Sequence, residues 1–328
     1  MKKKWHLPLL IILVIGSILI IRQQYNMPYQ HNKGMIFGTF YSITYQHPND
    51  LQKEIEAELK KVDEALSPFN KKSIITAVNE NRTVTLNKMF IDVFTLAKEV
   101  SEDTDGAFDI TVAPYVNAWG FGFKNNVMPT PEAIDSLSVF VGFEKVEMRK
   151  NTIVKKDPRI TLDCSAIAKG YGVDVIAKFF HEKEIKNFLI EIGGEIYAYG
   201  VNAKHEAWGI GVEKPEDDSL SVSSDLVTVL KAENIAMATS GNYRNFYYKD
   251  GKKYAHTIDP RTGNPVQHNI LSATVLCNSC AKADAYATAF MVLGLEKAKE
   301  ILSRHREMKA FLIYQDNDSY GVWKSPGL

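Results

Sequence analysis

The chain has 328 residues, with 39 Lys+Arg against 39 Asp+Glu and therefore no formal net charge, 45% hydrophobic and 24% charged residues, and three cysteines. A balanced charge supplies no bulk field for a polyanion, which argues against a general nucleic-acid binder, and 16 Phe, 15 Tyr and 4 Trp are too many aromatics for a disordered chain. Three cysteines build no disulfide framework; Cys277 and Cys280 are spaced C-x-x-C, but no second pair completes a four-cysteine zinc site, and two ordinary thiols are expected ahead of the alternative, an extracytoplasmic disulfide between them.

In chain order, Lys2, Lys3 and Lys4 precede an uncharged run of 15 residues from Leu7 to Ile21. A basic start followed by an apolar run reads as an export segment. As a helix that run spans about 22 Å, short of a ~30 Å hydrocarbon core unless flanking groups help. No small-x-small cleavage site follows it, and no Cys precedes Cys164, so residues 1–25 are expected to be a signal or membrane anchor, an uncleaved anchor being favoured over a cleaved signal, and not a lipoprotein signal. The positive-inside rule keeps the lysines in the cytoplasm and places the remainder on the extracytoplasmic, periplasmic side of the plasma (inner) membrane.

Residues 26–34 read as a polar linker, and 35–328 as one globular unit. Met35 to Tyr45 carries β-formers and predicts a strand. Asn49 or Asp50 then caps a helix with Leu51, Ile55, Leu59, Val62 and Leu66 on one face. A second helix is predicted from about Asn87 to Asp103, with Phe90, Val93, Phe94, Ala97 and Val100 inward and Asp105-Gly106 as its stop. Thr130-Pro131 looks like an N-cap with proline at the first helical position. Short strands follow from Lys145 to Leu162, a helix from Ser165 to about Lys183, and strands again from Phe188 to Thr239. Lys249-Asp250-Gly251-Lys252 predicts a tight hairpin, Asp259 to Gly263 a Pro/Gly turn, Ser279 to Arg304 a helical stretch broken at Gly294, and Asp316 to Asp318 a last hairpin. Without regular βαβ alternation, this is an α+β pattern with mixed sheets and flanking helices.

Four segments carry chemistry. In Ala281-Lys-Ala-Asp-Ala-Tyr-Ala-Thr288, Asp284 and Thr288 stand four apart on one helical face among alanines. One carboxylate and one hydroxyl suit Mg²⁺, which completes its octahedron with water and phosphate oxygens; the plainer reading is a helix-start Asp with a Thr packed behind it. Leu162 to Gly172 is a strand end feeding a helix, with Asp163 and Lys169 beside free backbone N–H groups, suited to an anion but lacking Walker spacing. Glu191-Ile-Gly-Gly194 is a weak glycine signal, closer to a packed strand end than to a phosphate cradle. His256 at a strand end beside a rigid turn suits a general base, and Ala107 to Gly122 has the aromatic and glycine content to line a pocket for a flat ring, or else to form a core strand running into a loop.

Taken together in order, Phe108 to Gly122, Leu162 to Tyr171, Ile190 to Ile196, Thr239 to Tyr247, His256 to Pro265 and Ala283 to Thr288 resemble the ApbE family of FAD:protein FMN transferases. The resemblance runs from about Met35 to the C-terminus. It implies a Mg²⁺-dependent enzyme that cleaves FAD, attaches FMN through a phosphoester bond to a threonine or serine of an acceptor redox protein, and releases AMP. It further implies Mg²⁺ ligation by Asp284, Thr288 and the Ala166 carbonyl, and FAD contacts from Phe37, Phe69, Ala107, Phe108, Asp109, Asp163, Lys169 and Thr257. His256 is the expected base, with Asp284 as the second choice. Acceptors of this kind are subunits of ion-pumping NADH:quinone reductase-type complexes or extracytoplasmic reductases. The alternatives are a Mg²⁺-dependent FAD pyrophosphatase giving FMN and AMP, and a non-enzymatic, membrane-tethered flavin-binding protein. Phe37 stands where Met usually precedes the Gly-Thr pair, and Phe69 where some members carry Tyr.

Overall fold

A computed structural model of the chain describes residues 6–25, 27–122, 128–214, 226–242, 246–249, 252–316 and 319–328. Its centre is an eight-stranded sheet whose spatial order follows the chain: β1 (Tyr29–Ile36), β2 (Thr39–Gln46), β3 (Phe188–Ile192), β4 (Glu195–Tyr199), β5 (Ile235–Gly241), β6 (Ile270–Cys277), β7 (Lys309–Asp316) and β8 (Ser319–Lys324). The α+β class is as expected, but strand direction is more uniform than mixed sheets imply. Every ladder among the described residues is antiparallel.

Helix α1 (His6–Tyr25) precedes the sheet; its large apolar side chains from Leu9 to Ile15 are 50–66% exposed. Among the described residues, no helix is long and apolar enough to cross a membrane. The β2–β3 connection holds α2 (Gln52–Leu66), α3 (Ile74–Asn79), α4 (Lys88–Asp103), α5 (Ala113–Ala118), α6 (Pro131–Leu137) and α7 (Ala168–Glu182), and the β6–β7 connection holds α8 (Cys280–Leu293) and α9 (Leu295–Arg304). Helices α2, α4, α7 and α8 cover one face of the sheet through two apolar clusters. The paired segments Trp208–Glu213 and Leu226–Ala232 cover the other, packing Trp208 and Ile210 on Ile196, Ala198, Met237 and Leu276. Covered on both sides, β6 is buried along nearly its whole length, whereas β2 alternates Tyr41, Ile43 and Tyr45 inward with more exposed residues.

The predicted helices form where their caps and stripes lie. Asn87 accepts the Phe90 N–H at the start of α4, which buries Phe90, Val93, Phe94, Ala97 and Val100 and ends before Asp105 and Gly106, both at positive φ. Thr130 caps α6 ahead of Pro131, and Gly294, at φ 80°, separates α8 from α9. Four expectations are corrected. The supposed linker holds most of β1: an edge strand with one face in solvent needs backbone pairing with β2 more than apolar side chains, and Asn32 anchors it by accepting from the Tyr45 hydroxyl at 2.7 Å. The single strand from Met35 to Tyr45 is a hairpin, since Ile36 pairs with Thr39 across Phe37 (φ 51°) and Gly38 (φ 74°); flanking β-formers hide this two-residue turn. Helix α2 begins one turn position later than Asn49 or Asp50 suggests, with Leu51 at its cap, although Asp50 still accepts the Gln52 N–H. Residues 107–122 form turns and α5 in place of a core strand, because Pro114 lies in the first turn of that helix. The turns at 250–251 and 317–318 lie outside the described residues, but the flanking strands pair as a hairpin in each case. All three cysteines are buried thiols.

Candidate active site

Three neighbouring cavities surround the segment from Thr161 to Lys169. One of about 420 Å³ is lined by Phe37, Gly38, Pro68, Phe69, Ser165 and Lys169. A second, of about 200 Å³, has an apolar wall of Phe108, Ile110, Val112 and Val116 and a polar wall of Asp163, Ser165, Ala166, His256, Thr257 and Thr288; Ala107 and Asp109 also line it. A third, of about 220 Å³, lies against Phe69, Asn79, Asn117 and Asp163. Ser165 borders the first two, Asp163 the last two, and Phe69 the first and third. A larger cavity of about 730 Å³ is lined by Lys98, Glu102, Glu144, Glu147 and Arg261 and shares Asp109 and Pro260 with the second; of the expected site residues it takes in Asp109 alone.

The segment is pinned from below. Asn79, at the end of α3, accepts the Leu162 N–H at 2.7 Å and donates to the Leu162 carbonyl at 2.9 Å, imitating a strand neighbour. Lys155 donates to the carbonyls of Val78 and Ile160, closing the same corner. Asp163 then accepts from the Ser165 N–H and hydroxyl, which turns the chain into α7. Helix α7 has no side-chain cap at Ile167, but its first N–H groups are largely engaged, Ala168 donating to the Cys164 carbonyl and Gly170 to Asp284, so the free N–H groups expected at this helix start are not found there.

Asp284 lies in the second turn of α8, 2% exposed, and one of its oxygens accepts the Gly170 N–H at 3.1 Å. The Lys169 ammonium is 2.6 Å from Glu195 Oε1 and 4.0 Å from Asp284 Oδ1. Burial pushes the Asp284 carboxyl above the ordinary range, against the pull of Lys169. Burial likewise pushes Glu195 up to about 8, with Lys169 pulling the other way. For Lys169 itself burial disfavours the charge, but the Asp284 and Glu195 carboxylates outweigh it and raise its pKa. Among the described residues, no three His, Cys, Asp or Glu side chains cluster as a metal cage. The donors on hand are one carboxylate on α8, the Thr288 hydroxyl one turn on, 3.1 Å from Ser240 Oγ, and Ala166 on the same cavity wall as Thr288. That hard, oxygen-only set fits a cation that keeps water and phosphate oxygens among its ligands.

The remaining residues read from the motifs divide by what they touch. Phe69 is 72% exposed at the border of two cavities. Phe37 leans on α7 so closely that a Cβ at Gly172 would stand 2.7 Å from its ring. His256 is half-buried and meets the edge of Phe121. Ala107 and Phe108 are buried wall residues. Asp109 borders the cavity, but its carboxylate accepts from the Thr111 N–H and hydroxyl and from the Phe143 N–H, so it also locks the surrounding turns. The Thr257 hydroxyl donates to Asn242 at 2.6 Å. Sequence reasoning passed over Glu195, whose only signal is an acidic residue placed directly after Gly193-Gly194, and Asp174, which accepts from Ser279, Cys280 and Ala281 at the start of α8.

The comparisons agree with the motifs. A family model described as the ApbE family matches residues 37–312. The FAD:protein FMN transferase of Vibrio cholerae is 36% identical over 306 residues, 90% of each chain. That of Escherichia coli K12 is 32% identical over 308 residues, 90% of this chain and 86% of the other. Among solved structures, the flavin transferase ApbE from Vibrio cholerae superposes with a TM-score of 0.83 at 34% identity, over 92% of this chain and 98% of that one. The apo form of the Pseudomonas stutzeri flavinyl transferase ApbE gives 0.81 at 28% identity, over 92% and 95%. On this match along most of its length, and with the motif residues other than the buried Asp284 bordering one set of cavities, the chain belongs to the ApbE family.

Proposed function

We propose that this chain is a Mg²⁺-dependent FAD:protein FMN transferase that moves FMN from FAD to a threonine or serine hydroxyl of an acceptor redox protein and releases AMP. The observation that carries the reading is the row of bordering cavities around residues 161–169, which suits an extended ligand with a ring at each end and phosphates between. Phe37 and Phe69 offer ring faces for stacking. Lys169, on the wall of the first cavity, attracts the phosphates. Ala166, Asp284 and Thr288 would hold Mg²⁺, which when bound neutralises the pyrophosphate and the charge developing on AMP.

His256 borders the cavity that also contains Ala166 and Thr288, where it can take the proton from the acceptor hydroxyl. The acceptor oxygen then bonds to the FMN phosphorus as the bond to the AMP phosphate breaks. Asp284, engaged by Gly170 and near Lys169, is less free to accept a proton. The apolar, solvent-facing side chains of α1 behind Lys2–Lys4 support a membrane anchor with the catalytic unit on the extracytoplasmic side. Acceptors there are subunits of ion-pumping NADH:quinone reductase-type complexes or other extracytoplasmic redox proteins.

The test is to incubate the detergent-solubilised full chain with FAD, Mg²⁺ and a candidate acceptor, following AMP and in-gel flavin fluorescence. AMP release together with covalent flavin on the acceptor is expected. Free FMN accumulating without acceptor labelling would mean a pyrophosphatase, and FAD retained intact would mean a binding protein; either overturns the reading.

A further inference from the structure

The Gly193-Gly194 pair, a weak signal in the sequence, is the two-residue turn between β3 and β4, with Ile192 paired to Glu195 and both glycines at positive φ (63° and 100°). A side chain at Gly193 would strike Thr39 and stand 3.3 Å from the Lys169 stem, so the turn both admits that stem and delivers Glu195 to its ammonium. Glu195 is 2% exposed, its Oε1 holds Lys169 at 2.6 Å, and its Oε2 has no hydrogen-bond partner. Asp284, also 2% exposed, stands 4.0 Å from the same ammonium. Two buried carboxylates thus share one lysine, and Glu195 has the closer hold.

We propose that Glu195 is a positioning residue that keeps the Lys169 ammonium off Asp284, leaving Asp284 Oδ1 free for a divalent cation. This rests on the proposed Mg²⁺ site. A lysine released from Glu195 has Asp284 as the nearest remaining carboxylate and would close on it, occupying the oxygen the cation needs. The orphaned Oε2 marks the cost of this arrangement, since a buried acceptor left unpaired stays only where the surroundings fix it.

The experiment reads metal binding directly, without FAD: Mn²⁺ titration of the full chain followed by electron paramagnetic resonance, for wild type, Glu195→Gln, Lys169→Met and the double variant. Glu195→Gln keeps the side-chain shape and should weaken Mn²⁺ binding about tenfold, the scale of one charge moved a few ångströms at an effective dielectric of ~20. In the Lys169→Met background, where no ammonium is left to restrain, the same change should alter binding less than about twofold. Equal weakening in both backgrounds would show that Glu195 acts by its own charge, and no weakening in either would show that it does not act on the cation; both overturn the inference. Wild-type protein that binds no Mn²⁺ would instead overturn the metal reading itself. Thermal melting of all four proteins identifies any variant that fails to fold, and Glu195→Asp, which keeps the charge on a shorter arm, then takes the place of Glu195→Gln.

Discussion

Helices α8 and α9 are neighbours in the chain, divided only by Gly294, and they obey opposite rules. On α9 the buried residues are Ala298, Ile301 and Leu302, one stripe of an otherwise charged helix, as expected of a surface element. On α8 nearly every side chain is buried, and only Lys282, Thr288 and Leu293 escape. A charged residue on α9, such as Glu296 with its 2.8 Å partner Lys299, needs no explanation beyond solvent. A carboxylate on α8 does: Asp284 sits among alanines with Ala283 and Ala285 fully buried, where an ionised group survives only with partners. The lesson is that polarity carries functional information in proportion to what its burial costs.

That contrast can be broken by substitution, and the largest effect is expected at Asp284. Asp284→Asn keeps the acceptor for the Gly170 N–H but removes the charge, so AMP release should fall about a thousandfold with the fold intact, as loss of a Lewis-acid ligand implies. Retention of wild-type rate at limiting Mg²⁺ would remove Asp284 from the metal site. His256→Ala asks whether the chemistry belongs to α8 alone: transfer should drop about a hundredfold while Mn²⁺ binding is unchanged, and an unimpaired variant would strike His256 out as base. Thr288→Val, one turn beyond Asp284, should cost about tenfold, readable as a higher Mg²⁺ requirement with little change in the rate at saturation. On α9, Lys299→Ala should shift unfolding stability by less than about 0.5 kcal/mol and leave transfer untouched. A larger activity loss there would abolish the distinction between the two helices.

Local features were legible in the sequence where they are written locally. Thr130 as a cap, the start of α4 near Asn87, its stripe, the stop at Asp105-Gly106 and the break at Gly294 all depend on residues within a turn of one another. The misread places are those where partners outweigh propensity. Residues taken as linker join the sheet because β2 offers its edge, and Phe37 occupies a positive-φ turn that a bulky aromatic normally avoids, held between Gly38 and the surface of α7.

The same division runs through the site. The sequence by itself determined the motifs: Asp163 and Lys169 at the start of a helix, though an extended loop and not the expected strand leads into it, His256 before its turn, and Asp284 and Thr288 one helical turn apart. Their chemistry follows from side-chain type and short spacing. Only the tertiary structure decided that Gly170 on α7 would donate to Asp284 on α8 across 114 residues, and that Glu195 on β4 would take hold of Lys169 across 26. No periodicity encodes those meetings. They arise because α7 and α8 pack on the same face of one sheet, so that burial brings charges from three separate segments within reach of one another.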